Sequence, residues 1–446
     1  AVVVLAAAAL FALAHGLFSR GRRGPIVIVS IDTLRADHLP AYGYPRIATP
    51  AIDSLAQDGV VFEACYTHAP LTLPAHASLL TGLLPPEHGV RNNIGFHLAE
   101  GTPTLASELK KAGWATGGAV SAAVLRAGTG IARGFDWYDD ALEAAGPEVR
   151  TTEVQRDGSE TLKRALAWLS ERSRASGGEP PFLFLHLYEP HAPYSPPPRY
   201  RGNGISPYDG EVMYSDEIVG RLVDGMRSLG LWDRSLVLLL SDHGEGLGDH
   251  GEEDHGVFLY REVTRVPLIV RLPGGESGDR RVAAPVQLID VVPTLREWAG
   301  LPPRPELRGT SLLAALRGAT LPGDRRVYAE SLYGRFHFGW KELFSLTDAR
   351  YSFILAPRPE LYDLAKDPAE LRDLLAGGAP TPEAAAERDR LHRALRALSG
   401  QAAPKAPTSV DEEEVAKLRA LGYFGSPTLD PAQDETAREQ QFDEWM

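Results

Sequence analysis

The stretch Pro25-Ile-Val-Ile-Val-Ser-Ile-Asp32 decides the fold of this chain. It is a continuous apolar run that ends in an acidic residue. Such a run is typical of a strand that is buried on both faces of a parallel sheet. The acidic residue then lies at the carboxyl end of the strand, which is the edge where open α/β sheets bind their ligands.

The same pattern recurs twice further along the chain. The apolar run 181–188 leads into Glu189 and His191, and the run 235–241 leads into Asp242 and His243. The segments between these runs have helical character, and they cover residues 49–58, 104–112, 160–174 and 209–229. Strands that alternate with helices predict an α/β fold, with a large mixed, mainly parallel sheet sandwiched by helices.

The C-terminal third has a different pattern. Residues 326–330, 341–347 and 352–356 predict short strands, and residues 381–399 predict a helix, so we expect a smaller antiparallel sheet with a helix. The predicted organisation is an apolar segment over 1–19, a main domain over 24–320, a small α+β subdomain over 321–400, and a linker, short helix and acidic tail over 401–446.

The first 18 residues are almost entirely apolar, and Arg20, Arg22 and Arg23 follow them. About 18 apolar residues is the lower limit for a membrane-spanning helix. We therefore predict a membrane anchor over residues 1–19, with a truncated signal peptide as the alternative. The positive-inside rule applied to these arginines would place the main domain inside, but charges upstream of this sequence could reverse this orientation. We expect a membrane-anchored protein with its main domain in the periplasm or outside the cell.

Composition limits the partners of this chain. Its 446 residues carry a net charge of −13, which argues against a nucleic-acid polymer as partner because phosphate backbones repel an acidic protein. The single cysteine, Cys65, excludes an intramolecular disulfide. Neither charge nor composition predicts the oligomeric state.

The stretch Thr72-Leu-Pro-Ala-His-Ala-Ser-Leu-Leu-Thr-Gly82 predicts the start and end of a helix. Pro74 suits the first turn, and Gly82 suits the C-terminal end. The Thr72 hydroxyl would face unpaired N–H groups and the positive end of the helix dipole, which favour anions such as phosphate and sulfate. The alternative is that Thr72 is an ordinary N-cap residue.

All three strand ends supply side chains that can bind metals, and Glu189 and His191 belong to this group. Asp32, Asp242 and His243 combine two carboxylates with one imidazole, a set that suits a divalent ion such as Ca²⁺, Zn²⁺, Mn²⁺ or Mg²⁺. A hydroxyl that contacts such an ion loses its proton more easily and becomes a nucleophile near neutral pH. These residues together with Thr72 therefore predict a metal-dependent catalytic site.

These features resemble the sulfatase branch of the alkaline phosphatase superfamily, over about residues 26–374. The resemblance is carried by Asp32, the stretch 72–82, Tyr188-Glu-Pro-His-Ala-Pro-Tyr194, Ser241-Asp-His-Gly-Glu-Gly-Leu-Gly-Asp-His-Gly251, Thr264-Arg-Val-Pro-Leu-Ile-Val270 and Glu360-Leu-Tyr-Asp-Leu364. It implies an alkaline-phosphatase-like α/β catalytic domain and an ester hydrolase with a divalent metal. It also implies roles for individual residues: metal ligands Asp32, Thr72, Asp242 and His243, nucleophile Thr72, and substrate contacts His191 and His255.

The nucleophile position departs from the sulfatase pattern. Sulfatases carry a cysteine or serine that is converted to formylglycine, whereas the methyl group on the β-carbon of Thr72 prevents that conversion. The same stretch resembles nucleotide pyrophosphatase/phosphodiesterases, which use an unmodified threonine. That second resemblance implies that Asn93 donates to a phosphoryl oxygen, as preorganised stabilisation of developing charge. A second metal ion, held through His191 and His255, stays open.

We therefore predict a hydrolase or phosphotransferase that cleaves phosphate or sulfate esters through a covalent Thr72 intermediate. The substrate would be a small-molecule, glycan or lipid ester. The alternatives are a sulfuric ester hydrolase with unmodified threonine, an envelope lipid or glycan phospho-alcohol transferase, and a non-catalytic metal-binding envelope module. Four other residues are expected to be structural: His76, His186 as a core histidine, and Arg35 paired with Asp37.

Overall fold

The computed structural model describes residues 24–142, 154–175, 178–202 and 204–399. The predicted membrane segment, linker, short helix and acidic tail lie outside these residues, so these predictions stay untested. Within the described ranges, no helix combines the length and apolar character needed to cross a membrane.

The larger sheet has nine strands, and it confirms the predicted mixed, mainly parallel architecture. Its strands are β1 Ile26–Ile31, β2 Val60–Tyr66, β3 Ala115–Ala119, β4 Trp137–Asp139, β5 Pro181–Leu187, β6 Leu236–Leu240, β7 Arg265–Arg271, β8 Arg280–Val282 and β9 Val286–Gln287. The order is β4-β3-β5-β1-β6-β7-β2-β8, with β9 also paired to β2. Strand β7 runs antiparallel to both neighbours, and the other pairings are parallel.

Strand β1 shows why an unbroken apolar run belongs at the centre of this sheet. It pairs in parallel with β5 on one side and with β6 on the other. Ile26 and Ile28 pack into one buried cluster, whereas Val27, Val29 and Ile31 pack into a second cluster on the opposite face. Because both faces are covered, a strand with alternating polar residues would leave polar groups without water.

Helices cover both faces of the sheet and continue into the C-terminal region. They are α1 Pro50–Gln57, α2 Thr72–Thr81, α3 Pro85–His88, α4 Leu105–Lys111, α5 Gly158–Arg174, α6 Pro207–Ser228, α7 Arg261–Thr264, α8 Val291–Trp298, α9 Leu313–Leu316, α10 Tyr333–Phe338 and α11 Pro382–Ser399. The four longest predicted helical segments of the main domain match α1, α4, α5 and α6 to within two residues.

The second sheet is antiparallel and has four strands, β10 Val327–Ser331, β11 Leu343–Thr347, β12 Tyr351–Leu355 and β13 Glu360–Asp363. Helix α11 packs against it through Leu391 and Leu395, which are fully buried. This confirms the predicted smaller sheet with a helix and adds β13 to it. Domain boundaries at 320 and 400 stay predictions.

Candidate active site

Sheet topology brings three predicted metal ligands together. Asp32 directly follows β1, and Asp242 and His243 follow the neighbouring parallel strand β6. One potential ligand atom from each of these residues lies within 4.8 Å of the others. Nε2 of His243 is 3.6 Å from Oδ1 of Asp32 and 3.4 Å from Oδ2 of Asp242. The carboxyl ends of adjacent strands therefore build one cluster from distant parts of the sequence.

The carboxylates of this cluster fit a cation. All four oxygens of Asp32 and Asp242 are buried and make no hydrogen bond of normal geometry. Burial and the adjacent Asp32 raise the pKa of Asp242 well above its usual range. Two buried, unpaired carboxylates are costly unless a positive charge lies between them. The donor set of two carboxylates and an imidazole accommodates a divalent ion.

The orientation of His243 also fits metal binding. Its Nδ1 lies 2.9 Å from the carbonyl oxygen of Gly244, so Nδ1 carries the hydrogen and donates it. The lone pair of Nε2 then faces the cluster. A backbone carbonyl that fixes the tautomer of a ligating histidine is a common supporting contact at metal sites.

Thr72 is the first residue of α2 and is 3% exposed. Leu71 is the N-cap residue, and its own side chain makes no capping hydrogen bond. The alternative that Thr72 is an ordinary N-cap is therefore wrong. Its Oγ1 instead lies 3.4 Å from Nε2 of His243. Gly82 ends the helix with a φ of 72°, a left-handed conformation that glycine adopts without steric cost.

His76 holds this helix start in place, as expected of a structural residue. Its Nδ1 donates to the Thr72 carbonyl at 2.7 Å, and its Nε2 accepts from the Ser30 hydroxyl at 2.9 Å. Burial, assisted by the nearby His186, lowers the pKa of His76 to about 3, so the ring is neutral. The neutral ring connects strand β1 to the helix that carries Thr72.

Asn93 has a defined orientation. Its Oδ1 accepts a hydrogen bond from the backbone N–H of Leu73 at 2.8 Å. Since only the oxygen of the amide can accept from an N–H, the NH₂ group points elsewhere. Asn93 and Thr72 both line the same cavity, whose volume is about 330 Å³. Asn93 thus makes a structural hydrogen bond at the helix start and also lines the cavity.

His191 and His255 line this cavity with Asp32 and Thr72. Nδ1 of His191 donates to the Ala192 carbonyl at 2.7 Å, which leaves Nε2 as an acceptor, and burial lowers its pKa. His255 differs, because Nδ1 lies 2.9 Å from a carboxylate oxygen of Glu245. Burial opposes the charged ring, but Glu245 outweighs burial and raises the pKa of His255 to about 9. His255 is therefore a cation at neutral pH.

Two glutamates that the sequence argument did not use support these histidines. Glu245 is completely buried, and it accepts hydrogen bonds from His255 and, at 2.9 Å, from the Tyr194 hydroxyl. Glu211 on α6 accepts from the backbone N–H groups of His191 and Ser195. The short spacing in Asp242-His-Gly-Glu245 could have identified Glu245. Nothing in the sequence near Glu211 connects it to the site.

Two sequence interpretations need correction. His186 was expected to be an ordinary core histidine, but its Nε2 lies 3.3 Å from Oδ2 of Asp32, so it borders the metal cluster. Glu189 was grouped with the metal-competent side chains, but its carboxylate accepts from the N–H of Gly158 at the start of α5. The explanation for Glu189 is that a helix N-terminus attracts a carboxylate. Among the described residues, the cluster of Asp32, Asp242 and His243 is the single candidate metal group.

The C-terminal region contributes to the cavity wall. Tyr333 and His337 of α10 line the cavity together with Tyr188, and the rings of Tyr333 and His337 stack at 4.0 Å. Nδ2 of Asn92 lies 3.2 Å from Nε2 of His337, which joins the segment beside Asn93 to α10. This wall of the cavity therefore combines aromatic residues that follow strands of both sheets.

Comparisons with known proteins agree with this geometry. The Sulfatase family profile matches residues 25–301, and the profile "N-sulphoglucosamine sulphohydrolase, C-terminal" matches residues 248–401. An uncharacterized sulfatase of Escherichia coli is 26% identical over 79% of this chain and 83% of its own length. The arylsulfatase of Clostridium perfringens is 24% identical over 78% of this chain and 90% of its own length.

Among solved structures, the phosphonate monoester hydrolase of Agrobacterium radiobacter superposes with a TM-score of 0.70 at 24% identity. The superposition covers 85% of this chain and 96% of the hydrolase. This similarity establishes the shared fold. Since the Sulfatase profile spans more than half of the sequence, the chain belongs to the sulfatase family of ester hydrolases.

Proposed function

We propose that this ester hydrolase is metal-dependent and cleaves phosphate or phosphonate esters through a covalent intermediate on Thr72. The observation that carries the proposal is the position of the Thr72 hydroxyl, 3.4 Å from Nε2 of His243 at the edge of two unpaired buried carboxylates. Asp32, Asp242 and His243 would hold the divalent ion. Such an ion would favour ionisation of a neighbouring hydroxyl and offset charge on the transferred group.

The protein's own residues would carry out the remaining steps. Thr72 gives up its proton to solvent water and forms a bond from Oγ1 to phosphorus, while the bond from phosphorus to the leaving oxygen breaks. Asn93 donates its NH₂ hydrogens to a phosphoryl oxygen, and its bond to Leu73 keeps that donor in place. His255, held by Glu245, donates a proton to the leaving oxygen. Water then cleaves the phospho-threonine and regenerates Thr72.

Threonine is the reason for favouring phosphoryl transfer. A formylglycine hydrate releases sulfate by eliminating it and reforming an aldehyde. An alcohol with a methyl group on the same carbon cannot do this, so its ester must be cleaved by attack at phosphorus or sulfur. The phosphonate monoester hydrolase shares the fold of this chain, but at 24% identity it does not establish the substrate.

Sulfate ester hydrolysis by unmodified threonine is the second candidate. The profile match and the similarity to the Clostridium perfringens arylsulfatase favour it. Sulfate and phosphonate monoesters are both tetrahedral and singly charged, so the cavity accommodates the shape of either.

Paired aryl substrates would separate the two candidates. Initial rates with an aryl sulfate, an aryl phosphonate and an aryl phosphodiester should show faster turnover of the phosphorus esters. Mass spectrometry of protein quenched during turnover should find the phosphoryl or phosphonyl adduct on the peptide that contains Thr72. Faster sulfate turnover would favour the second candidate, and an adduct on another residue would overturn the assignment of Thr72.

A further inference from the structure

A second cavity, of about 370 Å³, lies away from the active-site cavity, and the two share no lining residue. It is enclosed by the loop after β1, the loop 247–251, helix α7 and the segment 368–371. Four cationic side chains and three carboxylates line it: Arg35, His250, Arg261, Arg265, Asp37, Asp249 and Glu262. Cations therefore exceed carboxylates in its wall.

Two of the four cations already account for all three carboxylates. Arg35 pairs with Asp37 at 2.8 Å, as the sequence predicted, and also with Asp249 at 2.9 Å. Nδ1 of His250 lies 2.6 Å from a carboxylate oxygen of Glu262. These five residues together carry a net charge of −1, because Arg35 faces two carboxylates.

Arg261 and Arg265 are not balanced in this way. Within the described ranges, neither guanidinium has a carboxylate within ion-pair distance. Arg261 donates from Nη1 to the carbonyl of Pro368 and also forms a hydrogen bond with the Tyr66 hydroxyl, while its Nε is buried with no acceptor. Arg265 donates to the carbonyl of Glu63. Arg261 and Arg265 are four positions apart across the turn of α7, and both line the cavity. Burial and then the charge of Arg261 lower the pKa of Arg265, although Asp37 in the cavity wall acts in the opposite direction.

Glu370 is a buried acid beside the cavity wall, and it offsets the charge of Arg261 only in part. Glu370 accepts a hydrogen bond from the backbone N–H of Arg261 at 2.8 Å, not from its guanidinium. Burial raises the pKa of Glu370 to about 7, so this carboxyl is partly protonated at neutral pH. Two neighbouring guanidinium groups with open donors are the arrangement that proteins use to bind tetrahedral oxyanions.

We propose that this second cavity binds a small tetrahedral oxyanion, phosphate or sulfate, between Arg261 and Arg265. This site goes beyond the proposed catalytic function, because none of its residues contacts Thr72 or the metal cluster. The anion would also lie beside the loop that carries Asp249 and His250. The same loop runs from Glu245 to His255. An anion in the second cavity would therefore lie against a loop that extends to the active site.

Calorimetric titration with inorganic phosphate, and separately with sulfate, tests the site at constant ionic strength with chloride as the reference anion. The active site is also expected to bind these ions, so the titration uses full-length protein that carries Asp242→Asn. This substitution removes a metal ligand and leaves the second cavity unchanged. We expect Asp242→Asn protein to retain anion binding, and a further Arg261→Gln substitution to weaken it at least about tenfold.

Arg221→Gln is the matched control, since Arg221 lies on α6 outside both cavities and should leave the dissociation constant unchanged. If Arg261→Gln fails to fold, His250→Gln replaces it and should weaken binding as well. Anion binding that disappears with Asp242→Asn alone would overturn the proposal, because the ion would then occupy only the active site. Binding that a folded Arg261→Gln variant leaves unchanged would overturn it too.

Discussion

The Thr72 hydroxyl and Nε2 of His243 lie 3.4 Å apart, although 171 positions separate the two residues in the sequence. One residue begins a helix, and the other follows a central strand of the sheet. The Nδ1 hydrogen of His243 is committed to the Gly244 carbonyl, so the nitrogen that faces Thr72 carries a lone pair. This relationship places the Thr72 hydroxyl beside a nitrogen that carries no hydrogen, which supports its proposed role as nucleophile.

Replacing Thr72 should abolish turnover. Thr72→Ala removes the nucleophilic oxygen, and we expect kcat to fall by about 10³-fold or more, as for other covalent catalysts that lose their nucleophile. Thr72→Ser is the matched variant, because it keeps the hydroxyl and should keep measurable activity. Steady-state kinetics with an aryl phosphonate would measure both. Full activity in Thr72→Ala would exclude this residue as nucleophile.

Removing the metal should lower both activity and thermal stability. Asp32 and Asp242 are buried without hydrogen-bond partners, so the metal-free protein contains two buried carboxyl groups whose burial nothing offsets. Treatment with a chelator should therefore lower the melting temperature, and adding back the correct divalent ion should restore it, because binding to the folded state stabilises that state. Elemental analysis should find one ion per chain, and Asp242→Asn should reduce this content.

Two substitutions of Asn93 separate its donor from its acceptor. Asn93→Asp keeps an oxygen for the Leu73 N–H but replaces the NH₂ donor with a negative charge. Loss of a donor that stabilises developing charge costs about 10²- to 10³-fold in kcat. We expect Asn93→Asp to lose at least as much activity as Asn93→Ala while retaining a melting temperature closer to that of the wild type. Near-normal kcat in Asn93→Asp would assign Asn93 a purely structural role.

The pair formed by His250 and Glu262 should make stability depend on pH. Burial opposes the charged ring, but Glu262 outweighs burial and raises the pKa of His250 to about 9. A folded pKa above the unfolded value of about 6.5 means that the stabilisation is complete below pH 6.5 and is lost as pH rises through 9. Urea unfolding of wild type and His250→Gln should thus differ by about 1 to 3 kcal/mol near pH 6. The same difference near pH 10 would contradict this assignment.

Much of the fold follows from local sequence patterns. The unbroken apolar runs before Asp32 and Asp242 can be buried only in a sheet that is covered on both faces, and the segments between them have helical periodicity. Strand β13 escaped prediction because its four residues, Glu360–Asp363, alternate too briefly to give a signal. It gains its hydrogen bonds only from pairing with β12.

The candidate site, like the fold, could be predicted from the sequence only in part. Asp32, Thr72, Asp242 and His243 could be selected from sequence because strand ends and helix starts concentrate such side chains. The side chains that lie beside each of these four residues could not be selected from the sequence. His186 lies inside an apolar run that looks like core, and its position beside Asp32 depends on the pairing of β1 with β5.

The sequence by itself determined the fold class and the family, and it selected Thr72 as the candidate nucleophile, because these depend on residue type and order along the chain. The tertiary structure decided the charge and orientation of the surrounding groups. Whether His255 is a cation depends on Glu245, and whether Glu189 faces the candidate metal ligands or a helix end depends on where α5 begins. Burial and through-space distance set these properties, and neither is encoded in the spacing of residues along the chain.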